Sequence, residues 1–405
     1  MSSIDILLGG VPFGRNNVGD EAILECVVGV VREVCPDARI TVSTDSETET
    51  KNRLGVYTVP LFGFQAPYSH KQMRACLARA DVFIWAGATG LSDYPEIPLA
   101  MLAIAHDVGT KTVVWGVGMN DQLNPYLYRV LPGRRRAVLN ALSALTFQRV
   151  DFVERIEHRA EKRARAKIIK ELNRCDLVVL RDPETLGAVH DCGDVPDALV
   201  GADSAELLKP EPWENITLTR AAREMLESGA RKIGLCVSAQ RQIVHRKELI
   251  DFLDLLAARD YRIVFLPMNH STDAELMKEM RDEMKNQARS VVIGGRRPPG
   301  EILAIAGRLD LVISSRLHLL ILASVLHVPI IGISRGSKVD NYLAPFGHTS
   351  AGSVDDCDFE HMRAELDRLI DSRDEFREVS EAVHEMLLAR LEAAKLRLAE
   401  VLCGG

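Results

Sequence analysis

Short β-branched and aliphatic runs recur along this chain with helical stretches between them. In the first half they read "IDILLGG", "ARITVST", "DVFIWAG", "KTVVWGVG" and "CDLVVLRD". In the second half they read "RKIGLCVS", "YRIVFLPM", "SVVIGG", "DLVISS" and "VPIIGIS". Runs this apolar leave no face for water, so they predict strands buried on both sides, and the connections are long enough for crossover helices. The pattern predicts an α/β protein built on two doubly wound parallel sheets. A length of 405 residues suits two domains better than one core. The stretch "LLKPEPWENITLT" at 207–219 carries two prolines and no helical period, so the junction is expected there. That gives an N-terminal domain over 1–207 and a second over 208–350. Two amphipathic helices, from about Glu360 to Leu402, are expected to fill most of 351–405.

Composition removes several classes. A formal charge of -7 offers no general electrostatic attraction to nucleic acid. The eight cysteines are scattered without a C-x-x-C pair, which suits reduced thiols in a cytoplasm better than a disulfide frame or a zinc site. No apolar run reaches bilayer length, and the opening "MSSIDILLGG" has no basic stretch of the kind that begins a signal peptide. A cytoplasmic protein is the expectation.

Ligands of open α/β sheets bind where strands run into helices. The first such turn reads "GGVPFGRNNVGDEAIL", with Gly14 and Gly19 at P-loop spacing. Where a P-loop continues with Lys and Ser or Thr, this chain has Asp20 and Glu21, which would repel a phosphate. Two readings of Asp20 stand: a plain helix cap, or a carboxylate accepting hydrogen bonds from a hydroxyl-bearing ligand. On the second reading Asn16, Asn17, Gly19 and Glu21 complete an acceptor site for a sugar.

The second informative turn is "DLVISSRLHLLILASVLHVPIIGIS". It reads as a strand, then Ser314 and Ser315, then a helix from about Arg316 to His327. Arg316 and His318 fall beside the positive end of the helix dipole, where a cation is disfavoured unless an anion joins it. Ser314, Ser315, Arg316 and His318 therefore make a candidate anion site containing a titratable group. His327, at the far end, reads as structural. Other turns add Arg181 with Asp182, Arg335 with Lys338, and His270 with Asp273, the last as a helix cap. The glycine turns "WAGATG" and "WGVGM" are each unspecific alone. No H-E-x-x-H or metal-spaced carboxylate cluster occurs. From Arg134 to Arg174 runs a basic helical segment with "RRR" and "HRAEKRARAKIIK". It reads either as a solvated face laced with i,i+4 pairs or as a surface for anionic lipid or polymer.

"NNVGDEAIL", "SSRLHLLILASVLHVPIIGI" and "SKVDNYL", in this order, resemble the polysaccharide pyruvyl transferase family, and "VVLRDPET" and "FLPMNHSTD" sit where that family has similar segments. The resemblance runs from about residue 5 to 345. It implies a GT-B-like fold, two Rossmann-like domains facing across a cleft. It also implies transfer of pyruvate from phosphoenolpyruvate to two hydroxyls of a sugar, with Arg316, His318 and Arg181 on the donor's phosphate or carboxylate. Ser314, Ser315 and Lys338 join that donor side, His318 is the expected acid and Asp20 the expected base. The expected partners are phosphoenolpyruvate and a sugar or lipid-linked saccharide, with no further cofactor and no metal. A peripheral contact with the inner membrane face is a second expectation. Two departures stand out: "AGATG" where the family has "GGG", and a longer basic segment. The alternatives are a GT-B glycosyltransferase with a nucleotide-sugar donor and a non-catalytic carbohydrate-binding relative.

Overall fold

The computed structural model describes residues 3–64, 69–147 and 149–403. The first sheet contains β1 (Asp5–Gly9), β2 (Arg39–Thr44), β3 (Tyr57–Pro60), β4 (Val82–Ala86), β5 (Lys111–Val117), β6 (Leu177–Leu180) and β7 (Leu199–Val200). Its order is β3-β2-β1-β4-β5-β6-β7. The second sheet contains β8 (Lys232–Cys236), β9 (Arg262–Phe265), β10 (Ser290–Val292), β11 (Leu311–Ser314) and β12 (Ile330–Gly332), in the order β10-β9-β8-β11-β12. Neighbouring strands pair in parallel throughout both sheets. β4 and β8 are buried at every position, as strands covered by helices on both faces must be.

Strand order reverses between β1 and β4 in one sheet and between β8 and β11 in the other. These switch points open a crevice beyond the strands' carboxyl ends, and every residue of the candidate site comes from loops leaving them or their neighbours.

Two strands lacked a sequence signal. β3 is a half-exposed edge strand ending in Pro60, and β7 is only Leu199–Val200, too short to show a period. The basic segment forms two helices, Arg134–Leu145 and Phe152–Leu172. The chain closes with helices Phe359–Asp371 and Arg373–Cys403. The last runs back to the first sheet's domain, where Lys395 Nζ meets Glu33 Oε2 at 2.9 Å and Lys111 Nζ donates to the Val401 carbonyl at 3.1 Å. His327 ends the Leu317–Val325 helix against it, with Nδ1 3.2 Å from Ser380 Oγ.

Candidate active site

After β1 the chain turns through Gly14, whose φ of 82° and tight contact with the Ser46 backbone exclude a side chain. It then enters the helix Val18–Val34, capped by Asn17. The Asn17 side chain accepts from Gly19 N at 3.3 Å and donates to Asp20 Oδ2 at 2.7 Å. Asp20 is therefore a first-turn residue and not the cap. Glu21 does not serve an acceptor pocket beside it. Its Oε1 accepts from Gly14 N at 2.7 Å and its Oε2 from Arg53 at 2.6 Å, so it fastens the loop. Asn16 is also spent otherwise: its Nδ2 donates to Ser271 Oγ at 2.9 Å in the second domain. Beside it Val18 N donates to the Met268 carbonyl, so this loop joins the domains.

On the opposite side, the helix Leu317–Val325 follows β11 with Arg316 as its N-cap. Both serines are consumed inside the fold and not offered to a ligand. Ser314 Oγ accepts from Arg316 N, Ser315 Oγ accepts from Ser238 N, and both side chains are fully buried. Nor does Arg316 wait for an external anion. Its Nε and Nη2 donate to Asp273 Oδ2 and Oδ1 at 3.1 and 2.7 Å. Asp273 is fully buried and also accepts from Ala239 N and Asn269 N. Thr272 occupies the cap position where Asp273 was expected. The carboxylate thus ties the turns after β8, β9 and β11 together, while Arg316 Nη1 reaches towards Gln240 at 3.5 Å.

His318 lies against the first domain. A Cβ on Gly19 would fall 2.1 Å from His318 Nδ1, so the glycine makes room for the imidazole and not for a sugar. His318 Nε2 stands 3.4 Å from Asp203 Oδ2, an ion-pair distance. Burial pushes the Asp203 carboxyl up, but His318, Arg181 and the Ala205 N–H together hold it below its ordinary range.

These groups meet in a cavity of about 220 Å³ lined by Asn17, Asp20, Thr89, Asp93, Tyr94, Gln240, Arg316, His318, Arg335 and Lys338. The N-termini of Val18–Val34 and Leu317–Val325 both open onto it, and two dipoles add positive potential there. Asp20 and Arg316, read from sequence as belonging to opposite domains, share this one space. Burial raises the Asp20 pKa to about 6, against the pull of His318. Burial lowers Lys338 to about 8, with Arg335 and Arg181 adding to the fall, and lowers Arg335 to about 10. Neither cation makes an ion pair among the described residues, and Arg335 Nε is buried without a hydrogen-bond partner. The cavity therefore holds two cations outside any direct ion pair, with the carboxylates of Asp20 and Asp93 on the same wall.

Arg181 sits next door. It is 6 % exposed, donates to Asp182 Oδ2 at 2.8 Å, and has its Nη2 buried without a partner. It lines an adjoining cavity of about 160 Å³ that shares Leu317 and Lys338 with the first. A larger cavity of about 320 Å³ lies on the far side of the opening loop, lined by Asn16, Glu21, Arg53, His270, Arg296 and Arg297. Its arginines are already matched: Arg53 with Glu21 and Glu25, Arg296 with Glu49, Arg297 with Glu301. The smaller cavity is the better candidate site because, among the described residues, its Arg335 and Lys338 are held in no ion pair.

Asp203, Asp93, Tyr94 and Gln240 escaped the sequence reading. Asp93 and Tyr94 follow the glycine turn "WAGATG", and that turn was their only signal. Asp203 follows the two-residue β7 and gave none.

A family model described as polysaccharide pyruvyl transferase matches residues 17–337, so the chain belongs to that family. No curated protein sequence matches it. Solved structures resemble it over nearly the whole length. The glycotransferase of kitacinnamycin is 14% identical with a TM-score of 0.58, covering 99% of this chain and 100% of its own. Anabaena Alr3699/HepE in complex with UDP-glucose is 12% identical, with a TM-score of 0.58 and the same coverage. A putative UDP-N-acetylglucosamine 2-epimerase from Listeria monocytogenes is 9% identical with a TM-score of 0.59, covering 94% of this chain and 91% of its own. At such identities the likeness shows the fold alone, which is GT-B: two Rossmann-like domains facing across a cleft.

Proposed function

We propose that this member of the polysaccharide pyruvyl transferase family takes phosphoenolpyruvate as donor and moves its pyruvate onto two hydroxyls of a saccharide, forming a cyclic ketal and releasing phosphate. The observation that carries this reading is the pair of cations Arg335 and Lys338, neither held in an ion pair among the described residues, at two facing helix N-termini beside Asp20 and His318. A small ligand with a phosphate and a carboxylate matches such a chamber in size and sign.

The chemistry then needs one acid and one base. His318, with Asp203 Oδ2 3.4 Å from its Nε2, gives a proton to the methylene carbon of phosphoenolpyruvate. The adjacent carbon becomes electrophilic, and a sugar hydroxyl adds to it while passing its proton to Asp20. With a pKa of about 6, Asp20 is ionised at neutral pH yet basic enough to help. A second hydroxyl attacks the same carbon, the C–O bond to phosphate breaks, and the departing phosphate takes the second hydroxyl proton. Arg335 and Lys338 stabilise the charge that accumulates on the leaving oxygen.

Phosphate release from phosphoenolpyruvate over a panel of saccharide acceptors tests the reading, with UDP-sugars as the rival donors. His318→Ala should lower turnover by on the order of 10²–10⁴. A folded wild-type chain that turns over UDP-sugars and ignores phosphoenolpyruvate would reject it.

A further inference from the structure

The helix Arg134–Leu145 touches the rest of the protein along one face only. There Ser143 Oγ accepts from Phe152 N at 2.9 Å, and Arg136 pairs with Glu157 at 3.6 Å. Val138, Ala141, Leu142 and Leu145, spaced i, i+3, i+4 and i+7, share the other face, and all are exposed. Leu145 is 77 % exposed and Phe147, just beyond the helix, is 90 % exposed. A water-facing surface helix normally carries its apolar stripe inward. This one carries it outward.

The charge around the stripe says what covers it. Between 134 and 174 the chain has twelve Lys or Arg against five Asp or Glu, inside a protein of net charge -7. On the hairpin's second helix, Phe152–Leu172, the residues Arg155, Arg159, Lys162, Arg163 and Lys170 recur at spacings that place them on one exposed face. Among the described residues, none of these five forms an ion pair apart from Lys170 with Glu171 at 3.5 Å. A second copy of the chain could cover the apolar stripe by two-fold pairing, but that would bring basic faces together. An anionic bilayer satisfies both features at once, taking the apolar side chains into the acyl boundary and the cations among the headgroups.

We propose that this hairpin is a peripheral docking element for an anionic bilayer surface. It grows from the loop after β5, at the rim of the reaction chamber. In that loop Asn120 Nδ2 donates to Asp93 at 3.0 Å and Asp121 N donates to Ser337 Oγ at 3.3 Å. A docked hairpin therefore holds the mouth of the cleft near the membrane. Among the described residues no helix is long and apolar enough to cross a bilayer, so the contact is interfacial.

Sedimentation of the full chain with vesicles tests this, using phosphatidylcholine alone or mixed with phosphatidylglycerol. The expected result is binding to the anionic vesicles only, weakening with salt. Leu142→Glu combined with Leu145→Glu, and separately Phe147→Glu, should each reduce binding roughly tenfold or more while thermal stability stays unchanged. The proposal is overturned if the wild type ignores anionic vesicles, or if the variants bind as well as it does. It is equally overturned if the wild type is a dimer in solution that the Leu142/Leu145 variant makes monomeric.

Discussion

A methyl group on residue 19 would overlap the His318 ring, so the smallest residue in the opening loop sets the position of the proposed acid. Gly19→Ala should push the imidazole out of place and lower turnover on the order of 10²-fold or more, as His318→Ala would, with the fold retained. Steady-state kinetics beside a melting curve checks this, and normal turnover in the variant would break the link. Asp20 makes a prediction of opposite sign for stability. Its folded pKa of about 6 lies above the unfolded value of 3.8, so the folded state loses stability as pH rises between those values. Above pH 6 the ionised carboxylate costs about 3 kcal/mol. Asp20→Asn should therefore raise the melting temperature at pH 8 by a few degrees, leave it unchanged near pH 3, and still impair turnover. Sequence alone singled out Gly19, Asp20 and His318, but not that they meet. The group that fills the space above Gly19 comes from the other domain, and only the closed cleft reveals it.

At the scale of elements, the turns after β8, β9 and β11 converge on Asp273. Removing that carboxylate by Asp273→Ala leaves Arg316 buried, at 9 % exposure, without its counter-charge. A buried pair broken on one side typically costs about 3–5 kcal/mol, so a large fall in thermal or denaturant stability is expected. A variant as stable as wild type would mean the pair is not what ties the turns. Apolar runs made the buried strands legible, including all of the second sheet. β3 and β7 were not legible because an edge strand and a two-residue strand bury too little to leave a pattern. The two serines before Arg316 looked like ligand groups because hydroxyls beside a helix start are suited to anions. Backbone donors claimed them first, Arg316 N within the turn and Ser238 N from the turn after β8, which composition cannot show.

Across the whole molecule, the first sheet's domain supplies Asp20, the second supplies Arg316, Arg335 and Lys338, and His318 crosses between them. Two strand-order reversals facing each other create that chamber, which is why the site is a property of the closed pair and not of either half. The chamber's charge makes its own pH signature. Lys338 sits at about 8 when no anion is present, and a bound anion would restore its proton. Phosphoenolpyruvate binding near pH 8 should therefore take up protons, and affinity should fall as pH rises above that value. The most direct measurement is calorimetric titration of the full chain with phosphoenolpyruvate at pH 8, in buffers of different ionisation enthalpy, with UDP-glucose as the comparison ligand. The account predicts saturable phosphoenolpyruvate binding with proton uptake, weakened at least tenfold by Arg335→Ala or Lys338→Ala, since a charge-assisted contact is worth roughly 1.5–3 kcal/mol. A folded chain that shows no phosphoenolpyruvate binding, or whose UDP-glucose binding depends on the same two cations, would contradict it.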